Sequence, residues 1–216
     1  MRVIAGLARG RPLRAPDAVG IRPTGDKIKG VIFSMLEAEA MRRGFEPEPA
    51  DEDRDGRFAL SVAWPRVLEL YAGSGALSIE ALSRGCQRAD LIEPNPAARR
   101  AIEANLAKTD LTEQARVHAM RSEQAVSTLR GPYDLILLDP PYGAAEVPAL
   151  VERLAEGTLL NRDGVVVWEH ARDTVPAPII RARDGSRALR LVRTNSHGAA
   201  AVSLYASTDD PVGGSP

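Results

Sequence analysis

The chain has 216 residues, 26% of them charged and 44% hydrophobic, with a formal net charge of −1. That length accommodates one full α/β domain with an appendage and excludes two large ones, while the balanced charge does not by itself mark a nucleic-acid protein. The single cysteine, Cys86, excludes an intramolecular disulfide; Met1 to Ile4 has no long apolar region behind it to act as a signal peptide, and no run reaches the roughly 18 apolar residues of a membrane span, so the cytoplasm is the expected compartment.

Charge is unevenly placed. Residues 1–30 carry Arg2, Arg9, Arg11, Arg14, Arg22, Lys27 and Lys29 against Asp17 and Asp26, a local balance of +5 suited to a polyanion. Val3–Gly6 and Arg11–Arg14, separated by Leu7–Gly10, read as a short hairpin with basic outward positions; Arg9 and Arg11 are candidate RNA contacts, although ordinary surface hairpins carry arginine too. In Ile21-Arg22-Pro23-Thr24 the proline keeps Arg22 extended and Thr24 stands where a helix cap belongs. Ile28, Val31, Ile32, Met35 and Leu36 then recur on one helical face. Thr24 is most simply a cap; the sharper alternative has Arg22 and Thr24 closing over a cofactor or a substrate phosphate. Residues 46–57 hold six acids and two prolines and read as a solvated insertion without chemistry.

The chain is organised around Val67–Ala76, an apolar strand that stops at Gly73-Ser74-Gly75 and leads into a helical pattern from Ala76 to Leu82. Such a turn presents backbone N–H groups to a cofactor at close range, although any α/β domain can use a tight strand-to-helix turn. A dinucleotide fingerprint wants a third glycine, and Ser78 stands there. Glu69, Gly73 and Gly75 instead resemble the first motif of S-adenosylmethionine-dependent methyltransferases, which would set Glu69 toward the cationic amino group of the methionine part. A second apolar strand, Ala89–Ile92, ends in Glu93-Pro94, about twenty residues past the turn. A carboxylate there can accept both ribose hydroxyls; the alternative is an acid stabilised by the helix that Pro96 opens. Ala115–Met120 is a weaker third strand, with its His118 read as structural, and its end should meet the adenine.

Tyr133–Leu138 has the composition of a buried parallel strand and runs into Asp139-Pro140-Pro141-Tyr142-Gly143. Two prolines cannot continue a ladder, so they fix a rigid loop at the strand's carboxyl end. An exocyclic amine on a base is a poor nucleophile. A site that methylates it must hold it in line and accept hydrogen bonds from its N–H groups. Asp139 and the Pro140 carbonyl supply acceptors, and Tyr142 a stacking face for an unstacked base; neither a metal nor a covalent intermediate is required. Val165–His170 is a fifth strand whose Glu169 and His170 read as a surface strand end, the pocket rim being the alternative. Ala188–Arg193 and Ala201–Tyr205 read as a closing antiparallel pair.

The segments Met1–Gly6 with Ala8–Arg11, Ile21–Thr24, Glu69–Ala76, Glu80–Gly85 and Asp139–Gly143 resemble the RsmD family of class I methyltransferases, which modify the exocyclic amine (N2) of one guanine in bacterial 16S ribosomal RNA. The resemblance covers Met1 to about Leu204. It implies a Rossmann-like fold with a seven-stranded, mostly parallel sheet flanked by helices and an N-terminal hairpin-and-helix extension. Expected boundaries are residues 1–45 for the RNA-contacting extension, 46–62 for the acidic insertion, 63–206 for the methyltransferase domain and 207–216 for a disordered tail. It further implies S-adenosyl-L-methionine as cofactor, held by Glu69, Ala72, Gly73, Ser74, Gly75, Glu93 and Pro94. Arg121-Ser122 stands where the family commonly places an acid, so Ser122 or Glu123 would take the adenine contact. Asp139, Pro140 and Tyr142 would be catalytic, and Arg9, Arg11, Arg22, Thr24, Pro141 and Gly143 would touch RNA. The implied partner is 16S rRNA in an assembled or assembling small subunit, met by a monomer. Arg193–Ala199 departs from the family's Tyr-Gly-Asp-Thr-like loop. Two rivals are a DNA adenine or cytosine amino methyltransferase, for which the chain has little room for a target-recognition region, and a non-catalytic ribosome-assembly binder, against which Asp139, Tyr142 and the glycine loop argue.

Overall fold

The computed structural model of the protein describes residues 1–16, 25–45, 63–141 and 143–208. The insertion at 46–62, Arg22, Thr24, Tyr142 and the tail from 209 lie outside the described residues. One sheet forms from β1 (Arg66–Leu70), β2 (Arg88–Ile92), β3 (Ala115–His118), β4 (Tyr133–Leu138), β5 (Leu160–Ala171), β6 (Ile179–Arg181), β7 (Ala188–His197) and β8 (Ala200–Thr208), in the order β3-β2-β1-β4-β5-β8-β7-β6. The first five strands are parallel and the remaining pairings antiparallel. The expected count of seven is corrected to eight among the described residues by β6, three residues on the sheet edge, too short to leave an alternating pattern. β8 also runs past the expected boundary at 206, because Ser207 and Thr208 still pair with Leu189 and Ala188.

Helices α1 (Asp26–Arg42), α2 (Ala76–Ser83) and α3 (Pro96–Thr109) cover one face of the sheet, and α4 (Ser122–Thr128) and α5 (Val147–Glu156) the other. Parallel strands buried on both faces need near-continuous apolar runs, and Val67, Leu68, Leu70 and Leu135–Leu138 supply them. In α1 the expected stripe is buried at Ile28, Ile32, Met35 and Leu36, joined by Phe33. The helix begins one residue later than a Thr24 cap requires: Gly25 is the N-cap, extended at φ −66° and ψ 152° with no side-chain bond.

Residues 1–14 make a single bridge, Arg2 to Pro12, instead of the regular hairpin expected. Within this arm the Val3 and Leu13 amides donate to the Arg11 and Met1 carbonyls, while the Ile4, Ala5, Leu7 and Ala8 amides turn to α2 and the Arg14 amide to α3. The fully buried Glu80 accepts hydrogen bonds from the Ile4 and Ala5 amides at 2.8 and 3.0 Å. It also pairs with the buried Lys29 (3.6 Å) and with Arg84 (2.9 Å). Ser83 accepts from the Ala8 amide and donates to the Ala5 carbonyl. Gly6 has φ +83°, and a Cβ there would sit 1.7 Å from the Ser83 carbonyl oxygen, so glycine is the residue that permits the arm to lie this close. Val3, Ala8 and Leu13 share the hydrophobic core of the α1–α3 face.

Candidate active site

Register sets the site. Leu70 pairs with Ile92 and with Leu138, and Leu138 with Trp168. The next residues, Tyr71, Glu93, Asp139 and Glu169, therefore stand at one level across four neighbouring parallel strands. They lie at the carboxyl ends, where the chain leaves β1 for one side of the sheet and β4 is reached from the other, the position at which open α/β sheets take ligands. A cavity of about 1160 Å³ opens there. Its sheet-side wall includes Tyr71, Ala72, Gly73, Ser74, Glu93, Pro94, Asn95, Asp139, Pro140, Pro141 and Glu169. Opposite them lie the arm and the start of α1, with Met1, Leu13, Ala15 and Gly25 to Ile28, and the β7–β8 turn, with His197 to Ala200.

Gly73 and Gly75 take positive φ, +54° and +74°, and the Gly75 amide closes the turn on the Ala72 carbonyl at 2.7 Å. A Cβ at Gly75 would meet Leu91 at 3.0 Å and Ile102 at 3.2 Å, so the helix starts flush against β2 and α3. Gly75 has no side chain to cap α2. Glu69 does so from behind, its carboxylate accepting from the Ser78 amide at 2.9 Å. Glu69 is buried and does not line the cavity; burial, with the nearby Asp139 charge, pushes its carboxyl up to about 8. Glu69 thus lies beneath the loop, bonded to the first turn of α2.

Glu93 is buried on the cavity wall and binds both sides of the turn, accepting from the Gly73 amide at 2.9 Å and the Asn95 amide at 2.7 Å. Asn95 caps α3 through the Ala97 and Ala98 amides. Pattern reasoning missed Asn105. Fully buried on α3, it donates to the carbonyls of Ser74 and Arg14 and accepts from the Arg14 amide, tying the arm to the glycine loop. A lone polar residue on the inner face of a helical pattern was its only signal.

Ser122 and Glu123 do not line the cavity; they stand near the Tyr71 hydroxyl, whose residue has φ +62°. Gly143 also lies off the wall, as do Arg9 and Arg11. Arg11 binds Asp110 (2.5 Å) and the Lys108 carbonyl (2.8 Å) at the end of α3. Arg9 opens instead on a separate cleft of about 390 Å³, with Arg2, Lys27 and Asp26. The surface reading of Glu169 and His170 is corrected: both are buried, because β8 pairs alongside β5 through Ala171. His170 donates from Nδ1 to the Ala171 carbonyl and accepts at Nε2 from Ser203, and burial lowers its pKa. His118 is structural, bonded to Asp90 at 2.6 Å.

A parallel 3-2-1-4-5 sheet, a glycine turn after its first strand, an acid after its second and Asp-Pro-Pro after its fourth, all on one cavity, define a Rossmann-like class I methyltransferase. Residues 1–206 match the model of the family described as Conserved hypothetical protein 95. The chain belongs to that family, the RsmD family. It is 32% identical to YlbH of Bacillus subtilis over 95% of this chain and 98% of the relative. It is 28% identical to ribosomal RNA small subunit methyltransferase D of Escherichia coli over 92% of each. The solved structure of yhhF from Escherichia coli superposes with a TM-score of 0.72 at 26% identity, covering 97% of this chain and 99% of that one. No helix among the described residues is long and apolar enough to cross a membrane.

Proposed function

We propose that the protein methylates the exocyclic amine (N2) of a guanine in small-subunit 16S ribosomal RNA, with S-adenosylmethionine as donor. The observation that carries this reading is the placement of Gly73-Ser74, Glu93 and Asp139-Pro140 on one cavity at the sheet's carboxyl edge.

The cavity suits the donor. Its volume, slightly above the usual range of small-molecule sites, leaves room for the donor, and Glu93 brings a carboxylate to the wall where two adjacent hydroxyls can be accepted. The bound donor would supply an electrophilic methyl group. Gly73 and Ser74 would lie along its amino-acid part, Glu93 would hold its ribose, and Ser122 or Glu123, behind Tyr71, would be reached only by an adenine inserted past the ring. Asp139 and the Pro140 carbonyl would accept the two N–H groups of the target amine, aiming its lone pair and favouring pyramidalisation. Asp139 would take up, along the hydrogen bond it accepts, the proton the amine must lose when the methyl passes to nitrogen and its bond to the donor's sulfonium breaks. Tyr142 would stack on the base. Arg9, with Arg2 and Lys27 around the smaller cleft, would hold phosphates, and Arg11 would brace that surface through Asp110. Arg22 and Thr24, in the segment leading to α1, and Pro141 and Gly143, beyond the catalytic acid, would complete the RNA contact. The reading places the enzyme in the cytoplasm, acting as a monomer on the subunit.

The test is transfer of labelled methyl to small subunits lacking the modification, beside naked rRNA and duplex DNA. Label in one guanine of the subunit, lost with Asp139→Ala, is the expected result. Label in DNA, or none despite tight cofactor binding, would sink the substrate assignment.

A further inference from the structure

We infer that Glu169 is the residue that selects guanine, by accepting the hydrogen bond of the base's N1–H. This rests on the methyltransferase reading above.

Glu169 ends the run of β5 along the cavity, 7% exposed, and lines it together with Asp139 and Pro140. In β5, Val165 and Val167 belong to one face's core and Val166 and Trp168 to the other's, so alternation puts Glu169 on the α1–α3 face. The same alternation in β4, with Leu135 and Leu137 on that face, carries Asp139 there as well. Leu138 pairs with Trp168, so the two carboxylate residues sit side by side on adjacent strands, a spacing of about 4.8 Å.

An amine-methylating site needs acceptors for one exocyclic NH₂, and Asp139 with the Pro140 carbonyl already provides two. The adjacent carboxylate would face the ring position next to that amine. Among bases with an exocyclic amine, adenine presents the acceptor N1 beside its N6 and cytosine the acceptor N3 beside its N4. Guanine alone places a donor, N1–H, next to the amine. A carboxylate held beside the amine site would face a lone pair in adenine or cytosine, and a hydrogen-bond donor in guanine. The arrangement that attracts guanine therefore repels the other two, and specificity arises from both terms. Two neighbouring carboxylates also repel each other, a cost that a base edge with adjacent N–H groups offsets.

The experiment uses small subunits reconstituted with 16S RNA carrying guanine or 2-aminopurine at the mapped position. 2-Aminopurine keeps the amine but has an acceptor at N1. Wild-type protein should prefer guanine on the order of 10-fold or more. Glu169→Gln should bring that preference toward unity with cofactor affinity unchanged, because an amide can accept from N1–H or donate to a bare N1. The inference is overturned if Glu169→Gln keeps the wild-type preference, or if wild type methylates both bases equally. The latter result would leave the proposed function standing, whereas a wild type that labels no guanine defeats that function first and this inference with it. If Glu169→Gln cannot be purified folded, Glu169→Asp carries the test. Because the shortened carboxylate withdraws from N1–H, a reduced preference with cofactor binding intact supports the assignment, and the wild-type preference kept at the wild-type rate overturns it.

Discussion

On the sheet side of the cavity, Tyr71, Glu93, Asp139 and Glu169 take their places from four parallel strands whose ladders and apolar neighbours fix their level. On the arm side, Met1, Leu13 and Asp26 are held differently. Their segments dock through one buried carboxylate, Glu80, through Lys29 and Arg84 beside it, and through the amide of Asn105. The sheet wall cannot shift without breaking the core. The arm wall adds to its buried Val3, Ala8, Leu13 and Ile28 a few polar contacts that are strong only while complete, since removing one partner strands the others in low dielectric. Chemistry and docking should therefore separate under mutation.

The largest effect belongs to the sheet wall. Asp139→Ala should lower single-turnover methyl transfer by on the order of 10³ while leaving cofactor affinity and stability near wild type; a loss under tenfold would remove Asp139 from the chemistry. On the arm wall, Glu80→Ala strips the Ile4 and Ala5 amides of their acceptor and leaves the buried Lys29 to Asp26 and Arg84 to Glu37 alone; it should cost about 3–5 kcal/mol in urea unfolding, with faster exchange at those two amides. A cost below about 1 kcal/mol would mean that apolar packing of Val3 and Leu13 holds the arm, and the contrast between walls would fail.

Glu69 sharpens the comparison from beneath the glycine loop. Its carboxyl is ordinarily near 4.5 and is raised to about 8 in the fold. Below about 4.5 both folded and unfolded chains hold the proton, and the contribution to stability is complete. Between there and about 8 the unfolded chain has released the proton that the folded one keeps, so stability falls as pH rises, by on the order of 5 kcal/mol, and then levels. Glu69→Gln should flatten this slope in denaturation midpoints measured from pH 5 to 8; an unchanged slope would assign it to other groups. The smallest effect expected is Asn105→Ala, at about 1–3 kcal/mol. Because Asn105 bridges the Ser74 and Arg14 carbonyls, weaker cofactor binding should accompany the loss, and unaltered binding would show the arm and the loop to be independent.

Much of this fold was legible because its signals are local. Val67–Leu70 and Tyr133–Leu138 are apolar runs of strand length, Gly73 and Gly75 require positive φ, and Pro140-Pro141 ends a ladder wherever it stands. β6 was not legible, since Ile179–Arg181 is too short to show alternation and becomes a strand only through β7. The outward look of Glu169 and His170 misled for a related reason: polar residues at a strand end read as exposed until β8 covers them.

The sequence by itself determined the strand-and-helix alternation, the glycine turn and the Asp-Pro-Pro loop, because steric limits on backbone angles and the periodicity of apolar residues act within a few residues of each position. Only the tertiary structure decided that Glu69 caps a helix while Glu93 and Glu169 face the cavity, and that Arg11 is tied to Asp110 while Arg9 opens on a cleft. Side chains of one type look alike along the chain; what distinguishes them is strand register and burial, set by partners tens of residues away.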